Sequence, residues 1–252
     1  MAKQNGVIKL KGTIGDITFY KSKDGYLARE KGGVDANRIA KDPAFQRTRE
    51  NGAEFGRAGK SGRLLRTALK PYFKNYADAR MVSRLTQVMM KVIQADQVSE
   101  RGKRNVIDGE AVLLTGFEFN IRGKLSNTFY SPYTVLIDRV TGKMNLNVSP
   151  FVSENLISAP GGSTHFKIIS VAAEIDFNEG TFVVDKVESN ILPLTNIETP
   201  AIEQECSITP DSVHPLFFVL GIEFYQEIND EMYPLKNGAF NSLAIVKVDG
   251  GL

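Results

Sequence analysis

The residues whose types come nearest to a chemical motif are Gly59, Lys60 and Ser61, in EFGRAGKSGRLL at positions 54–65. Gly-Lys-Ser closes a phosphate-binding loop, in which backbone N–H groups cradle the phosphates, the lysine reaches an outer phosphate and the hydroxyl holds magnesium. TVLID (134–138) would match an apolar strand whose final aspartate, Asp138, holds the same ion. That loop also needs a glycine where this chain has Glu54, and a carboxylate there opposes phosphate. It must leave a buried strand as well, and the preceding PAFQRTREN is polar and helix-like. The chain is therefore expected to bind no nucleoside triphosphate, and TVLID reads as an ordinary strand.

Other catalytic constellations are equally hard to build. His165, His214 and Cys206 lack the close spacing of a metal site. No G-x-S-x-G elbow favours a serine nucleophile. APGGSTH (159–165) reads as a turn between strands, and Asp230-Glu231 as a hairpin tip. No catalytic, cofactor-binding or metal residue is assigned, no cofactor is implied, and the expectation is that the chain is not an enzyme.

A chain of 252 residues with 42% hydrophobic and 24% charged content can build a sizeable core in one or two domains. No run approaches the roughly 18 apolar residues of a membrane span. The start MAKQNGVIKLKG has no apolar segment of a secretory signal, and one cysteine excludes an internal disulfide. Synthesis in the cytoplasm is expected, with release as part of a particle left open.

The net charge of +2 conceals an asymmetry. Residues 1–110 hold 23 Lys/Arg against 12 Asp/Glu, and residues 111–252 hold 8 against 17, so the halves carry +11 and −9. Such asymmetry signals nucleic acid or a protein partner of opposite sign. A second copy of the chain is one such partner.

The pattern changes at the same place. Residues 7–30 read as a small meander, VIKLKG, DITFYKS and GYLARE, with Asp24-Gly25 as a hairpin turn and KGGVDAN as the loop that follows. Asp42 as N-cap and Pro43 at the first position open a helix to about Tyr72, possible breaks included. A second helix from about Asp78 to Ala95 carries the stripe Met81, Val82, Leu85, Val88, Met89 and Val92. QVSERGKRNVIDGE is a basic polar connector. From 111 onward AVLLTGFEFNI, YTVLIDRV, KMNLNVS, THFKIISVAAEIDF, GTFVVDKVE, AIEQECSIT, PLFFVLGIEFYQEI and NSLAIVKV, punctuated by turns such as KNGA, give about eight strands of an antiparallel sandwich. The expected fold is α+β, mainly β, with a basic region 1–110 and an acidic β-sandwich 111–252.

Gly52, Gly56 and Gly59 lie near one face of the first helix and would allow close approach of another backbone. Arg47, Arg49, Arg57, Arg63 and Arg66 edge that face, and Tyr20 and Tyr26 would anchor the meander. Whether residues 52–62 form one helix or a broken one stays open, because each interior glycine costs a helix about 1 kcal/mol relative to alanine. These residues are the expected self-assembly interface. The alternative is a nucleic-acid-binding half, with Phe19, Tyr20, Tyr26, Phe45, Phe55, Tyr72, Phe73 and Tyr76 stacking on bases. Acidic residues scattered among the basic ones argue against it.

GTIGDITFYKSKDGYLAREKGG (12–33), DPAFQRTRENGAEF (42–55) and GIEFYQEINDEMYPLKNGAFNSLAIVKV (221–248) resemble the opening and closing segments of an uncharacterised bacterial family with no established activity. The Asp-Pro…Gln-Arg…Phe pattern is similar to segments of phage tail and other particle proteins. Together these point to a structural, self-associating subunit of a filament, tube, tail-like or shell assembly, joined head to tail. ATP and GTP should give no binding heat in calorimetry. A micromolar dissociation constant abolished by Lys60→Ala would overturn that expectation.

Overall fold

Two long apolar runs, HFKIISVAAEID and LFFVLGIEFYQEI, organise most of the chain. In a computed structural model of the protein, which describes residues 1–30, 32–72, 76–235 and 240–251, they form strands β7 (His165–Asp176) and β11 (Leu216–Ile228) at the centre of a six-stranded sheet. The elements in chain order are β1 (Ala2–Lys3), β2 (Gly12–Ile14), β3 (Ile17–Ser22), β4 (Gly25–Glu30), α1 (Ala36–Lys41), α2 (Gln46–Ala68), α3 (Met81–Gln94), β5 (Tyr133–Asp138), β6 (Lys143–Val148), α4 (Ser153–Leu156), β7, β8 (Thr181–Glu188), β9 (Leu192–Pro193), β10 (Ile202–Ser207), β11, β12 (Glu231–Pro234) and β13 (Ser242–Asp249).

The large sheet runs β12-β11-β7-β8, with β13 also paired to β11 and β9 to β7; all of its pairings are antiparallel. Successive side chains of a strand point to opposite faces. Phe166, Ile168 and Ala172 of β7, with Leu216, Phe218, Leu220, Ile222 and Phe224 of β11, meet a smaller sheet of order β10-β6-β5. Ile169, Val171, Ala173 and Ile175, with Phe217 and Val219, meet the helices on the other side. The result is three layers: helices, six-stranded sheet and three-stranded sheet. The fold is mainly β with a few helices, as the strand-rich pattern implies.

Helix α3 buries Met81, Leu85, Met89, Val92 and Ile93, while Val82 is exposed. Helix α2 is unbroken from 46 to 68 despite its glycines, and buries Glu54, Ala58, Gly62, Leu65 and Ala68. Gly62 faces Leu85, whose Cγ would lie 3.7 Å from an added Cβ. Contact with α3 and the sheet supplies what weak intrinsic propensity does not.

Several expectations need correction. AVLLTGFEFNI is not a regular strand: Ala111–Leu114 form a 3-10 turn, and Glu118 makes an isolated bridge to Ala244, flanked by backbone hydrogen bonds of Gly116, Phe117 and Phe119 with Ile245 and Leu243 of β13. Its apolar side chains fill the helix-side core instead, with Ala111, Leu114, Phe117 and Phe119 buried. VIKLKG contributes only Gly12 to a strand, and KGGVDAN runs into α1, capped by the Asp35 carboxylate on the Asn37 and Arg38 N–H groups. The first long helix ends at Ala68, followed by a 3-10 turn at Lys70–Tyr72. The Asp42 cap with Pro43 is present, on a 3-10 turn that leads directly into α2. KNGA, Lys31 of KGGVDAN and Phe73 lie outside the described residues.

The chain divides into two compact units, Met1–Arg49 and Glu50–Leu252. The division falls at 49/50, whereas the change of charge and pattern lies near 110. Residues 58–119 share one core with the large sheet, so α3 and α2 from Glu50 onward belong to the larger unit. The smaller unit is a four-stranded antiparallel sheet, β1-β4-β3-β2, followed by α1. Its β3–β4 hairpin turns at Lys23-Asp24, with Gly25 at φ 109°, a conformation that favours glycine.

Two glycines test the packing in opposite directions. A Cβ on Gly109 would lie 2.4 Å from the Val92 carbonyl oxygen, so Gly109→Ala should lower stability by about 1–3 kcal/mol. A Cβ on Gly52 meets nothing within 4 Å, so Gly52→Ala should raise it by roughly 0.5–1 kcal/mol. Urea midpoints moving in the same direction for both would contradict this packing.

Candidate functional site

Glu54, the residue that breaks the phosphate-loop pattern, is 1% exposed on the inner face of α2. Arg104 grips its carboxylate from two nitrogens, Nε to Oε1 at 2.7 Å and Nη2 to Oε2 at 2.8 Å. The Gly102 N–H donates to Oε1 at 2.7 Å. The connector 96–110 is thus an ordered hook held on α2. Asp96 secures its start by accepting from the N–H groups of Val98, Ser99 and Asn105 at 2.8, 2.9 and 3.0 Å. The hydrogen bond from Arg104 is the main reason that the Glu54 carboxyl is held below its ordinary range, against the opposing effect of burial.

Lys60 and Ser61 lie one to two turns further along α2, where Asn105, Val106 and Ile107 of the hook border the space beside them. They line a groove between α2 and the β7–β8 turn, made of two adjoining cavities of about 350 and 280 Å³. Both cavities include Lys60, Ser61, Phe177 and Asn178; Arg63 and Leu64 border the first and Arg57 the second. Neither Lys60 nor Arg63 has an ion pair among the described residues. The groove is cationic above an apolar floor of Leu64 and Phe177, which also pack on the core. It lacks the backbone cradle of a phosphate loop, because Gly59-Lys60-Ser61 is in mid-helix with its N–H groups used by the helix.

The expected interface residues separate by unit. Gly52, Gly56 and Gly59 have open space where a Cβ would stand. Arg63 is exposed and Arg66 is half-buried, its Nε donating to the Gly62 carbonyl at 3.2 Å. Arg57 is committed within the chain, donating to the carbonyls of Gly102 at 2.5 Å and Arg104 at 2.8 Å, so it fastens the hook to α2. In the smaller unit Arg47 is exposed, and Arg49 donates to the carbonyls of Ile39 at 2.7 Å and Asp42 at 2.9 Å. Tyr20 and Tyr26 are half-buried, covered by Arg29 and Lys21 respectively, and the Tyr20 hydroxyl donates to Met1 Sδ at 2.7 Å.

The Glu54–Arg104 clamp, whose partners are fifty residues apart, leaves little trace in the sequence. A lone carboxylate among glycines and arginines was the only local signal. The chemistry-bearing residues remain scattered. His165 approaches Glu227 at 3.8 Å and His214 approaches Asp176 at 3.8 Å, at opposite ends of β7. Cys206 is buried in β10, and burial pushes its thiol up to about 12. Among the described residues no group of three or more His, Cys, Asp or Glu could hold a metal. No helix among them is long and apolar enough to cross a membrane. One polar cluster lies beside the core, where Lys167 bridges Glu188 at 2.8 Å and Glu223 at 3.5 Å. Nearby, the buried Tyr76 hydroxyl has no hydrogen-bond partner among the described residues and faces a cavity of about 90 Å³.

Comparison with protein-family models, with characterised proteins and with solved structures yields no match.

Glu54→Gln leaves the Arg104 guanidinium without its charged partner and should cost about 3 kcal/mol in urea unfolding at neutral pH. The folded-state carboxyl is held below its ordinary value, so the ionised clamp stabilises above the unfolded carboxylate range. That stability is lost as pH falls through the lowered folded value. The gap between wild type and variant should therefore close in acid. A gap unchanged from neutral to acid would show that the charge is not what stabilises.

Proposed function

We propose that the chain is a structural subunit rather than an enzyme. It self-associates head to tail into a filament, tube, tail-like or shell assembly through its basic N-terminal residues and the acidic surface of residues 111–252 in the next copy. The observation that carries this reading is the state of the smaller unit: none of its described residues is buried. Ordering a backbone costs about 1–2 kcal/mol per residue, and a sheet needs an apolar face covered to offset that cost. Here Ile14 and Ile17 of the sheet are exposed instead, as are Val7 and Ile8 of the loop before β2. The unit also holds 11 Lys/Arg against 5 Asp/Glu. An uncovered, basic sheet is suited to an acidic protein surface, and residues 111–252 of another copy supply one.

A contact between two different surfaces of one chain is heterologous, giving a ring if the rotation closes and a filament if it does not. The uncovered glycines of α2 add a second support. A helix retains Gly52, Gly56 and Gly59 at a cost, and close approach by another chain would account for them.

Both buried clusters lie wholly in Glu50–Leu252, so this unit has its own core. A chain lacking residues 1–41 should therefore unfold cooperatively yet fail to assemble in light scattering. Gly56→Ala should stabilise the subunit by roughly 0.5–1 kcal/mol while weakening assembly. Raised salt should slow assembly more than it dissolves finished particles, because screening acts over about 8 Å at physiological ionic strength. A wild-type chain that stays monomeric across concentration and salt would sink this reading, as would a truncated chain that assembles normally.

A further inference from the structure

The β11–β12 hairpin is the counterpart of the groove beside α2. Its tip turns at Asn229-Asp230, both at positive φ (52° and 64°), with Ile228 paired to Glu231 across it. A two-residue turn of this kind makes a narrow projection. Glu227, Ile228, Asn229, Asp230 and Glu231 are all exposed, Ile228 by 47%. The projection is therefore acidic with an apolar side chain at its centre, and the groove is cationic with an apolar floor.

The two features lie at opposite ends of the same strand. His165, at the start of β7, pairs with Tyr225 beside the hairpin, whereas Asp176, at its end, pairs with Thr181 beside the groove turn. Strand β7 is 12 residues long and spans roughly 35 Å at the usual rise per residue. A projection and a matching recess at opposite ends of one rigid sheet cannot meet within one molecule. They can meet between molecules stacked along the strand direction.

We infer that the acidic β11–β12 tip of one copy enters the groove beside α2 of the next, with Asp230 and Glu231 facing Lys60 and Arg63, and Ile228 on Leu64 and Phe177. This rests on the self-association reading above and adds to it a second pair of surfaces within the larger unit. The charges around the groove are not uniform. Glu179 stands on its rim, and Arg57 is committed to the carbonyls of Gly102 and Arg104. Glu179 opposes any anion, but the apolar floor of Leu64 and Phe177 suits a tip that carries Ile228 better than a continuous phosphate backbone. Nucleic acid is the competing occupant, and the test separates it.

Two full-length variants, Asp230→Lys/Glu231→Lys and Lys60→Glu/Arg63→Glu, should each associate at least about tenfold more weakly than wild type in analytical ultracentrifugation. Each should keep a wild-type melting temperature, since exposed charges contribute little to stability. In an alternating stack of the two, the lysine tip of one meets the glutamate groove of the other, and the unaltered acidic tip of the second meets the unaltered cationic groove of the first. The mixture should recover association while neither variant recovers alone.

A wild-type chain that never associates would overturn the self-association reading and this inference together. A wild-type chain that assembles, with variants that assemble as well as it does or fail to complement on mixing, would overturn this inference alone. So would a groove variant that loses affinity for a DNA or RNA oligonucleotide while keeping full self-association.

Discussion

Strands β7 and β11 carry apolar side chains on both faces, and a sheet of that kind persists only when both faces are kept from water. That single constraint places the other parts of the larger unit. The three-stranded sheet covers one face with Met144, Leu146, Val148, Ile202 and Cys206. Helices α2 and α3 cover the other with Ala58, Leu65, Leu85, Met89 and Val92. The segment 111–119, strand-like in composition, adds Ala111, Leu114, Phe117 and Phe119 to the helix-side core while residues 116–119 hydrogen-bond along β13.

Covering the sheet with α2 creates a second requirement. The helix is polar and rich in glycine, so its apolar stripe is thin, and polar contacts fix its seating. Glu54, Arg57 and Arg104 do this from both sides: a carboxylate in the helix holds the hook at Gly102 and Arg104, while an arginine in the helix holds two carbonyls of the same hook. The inner face of α2 is thereby committed to stability. Lys60 and Arg63 remain on the outer side and are available to a partner.

The smaller unit contrasts with this arrangement. It has regular hairpins and caps but no buried side chain among its described residues, so local turn chemistry defines its shape without a core to stabilise it. That disparity gives the assembly reading its physical basis. Among the described residues every buried apolar side chain lies in the larger unit, and the smaller one presents apolar and basic surface.

Much of this was determined by the sequence alone. Periodicity placed α3 through Met81, Leu85, Met89 and Val92, and the long apolar runs placed β7 and β11, because side chains on those faces must be buried whatever covers them. Asp24-Gly25 and Asp42-Pro43 marked turn and cap, since their backbone preferences are local. Glu54, with the polar stretch before it, spoke against a phosphate loop. Only the tertiary structure decided why a glutamate stands there, joining it to Arg104 fifty residues away. It also kept α2 unbroken through its glycines, coiled the start of AVLLTGFEFNI into a 3-10 turn and set the acidic tip and the cationic groove at opposite ends of β7. Those outcomes depend on which distant groups fill the same space, and a local pattern of residues carries no record of that.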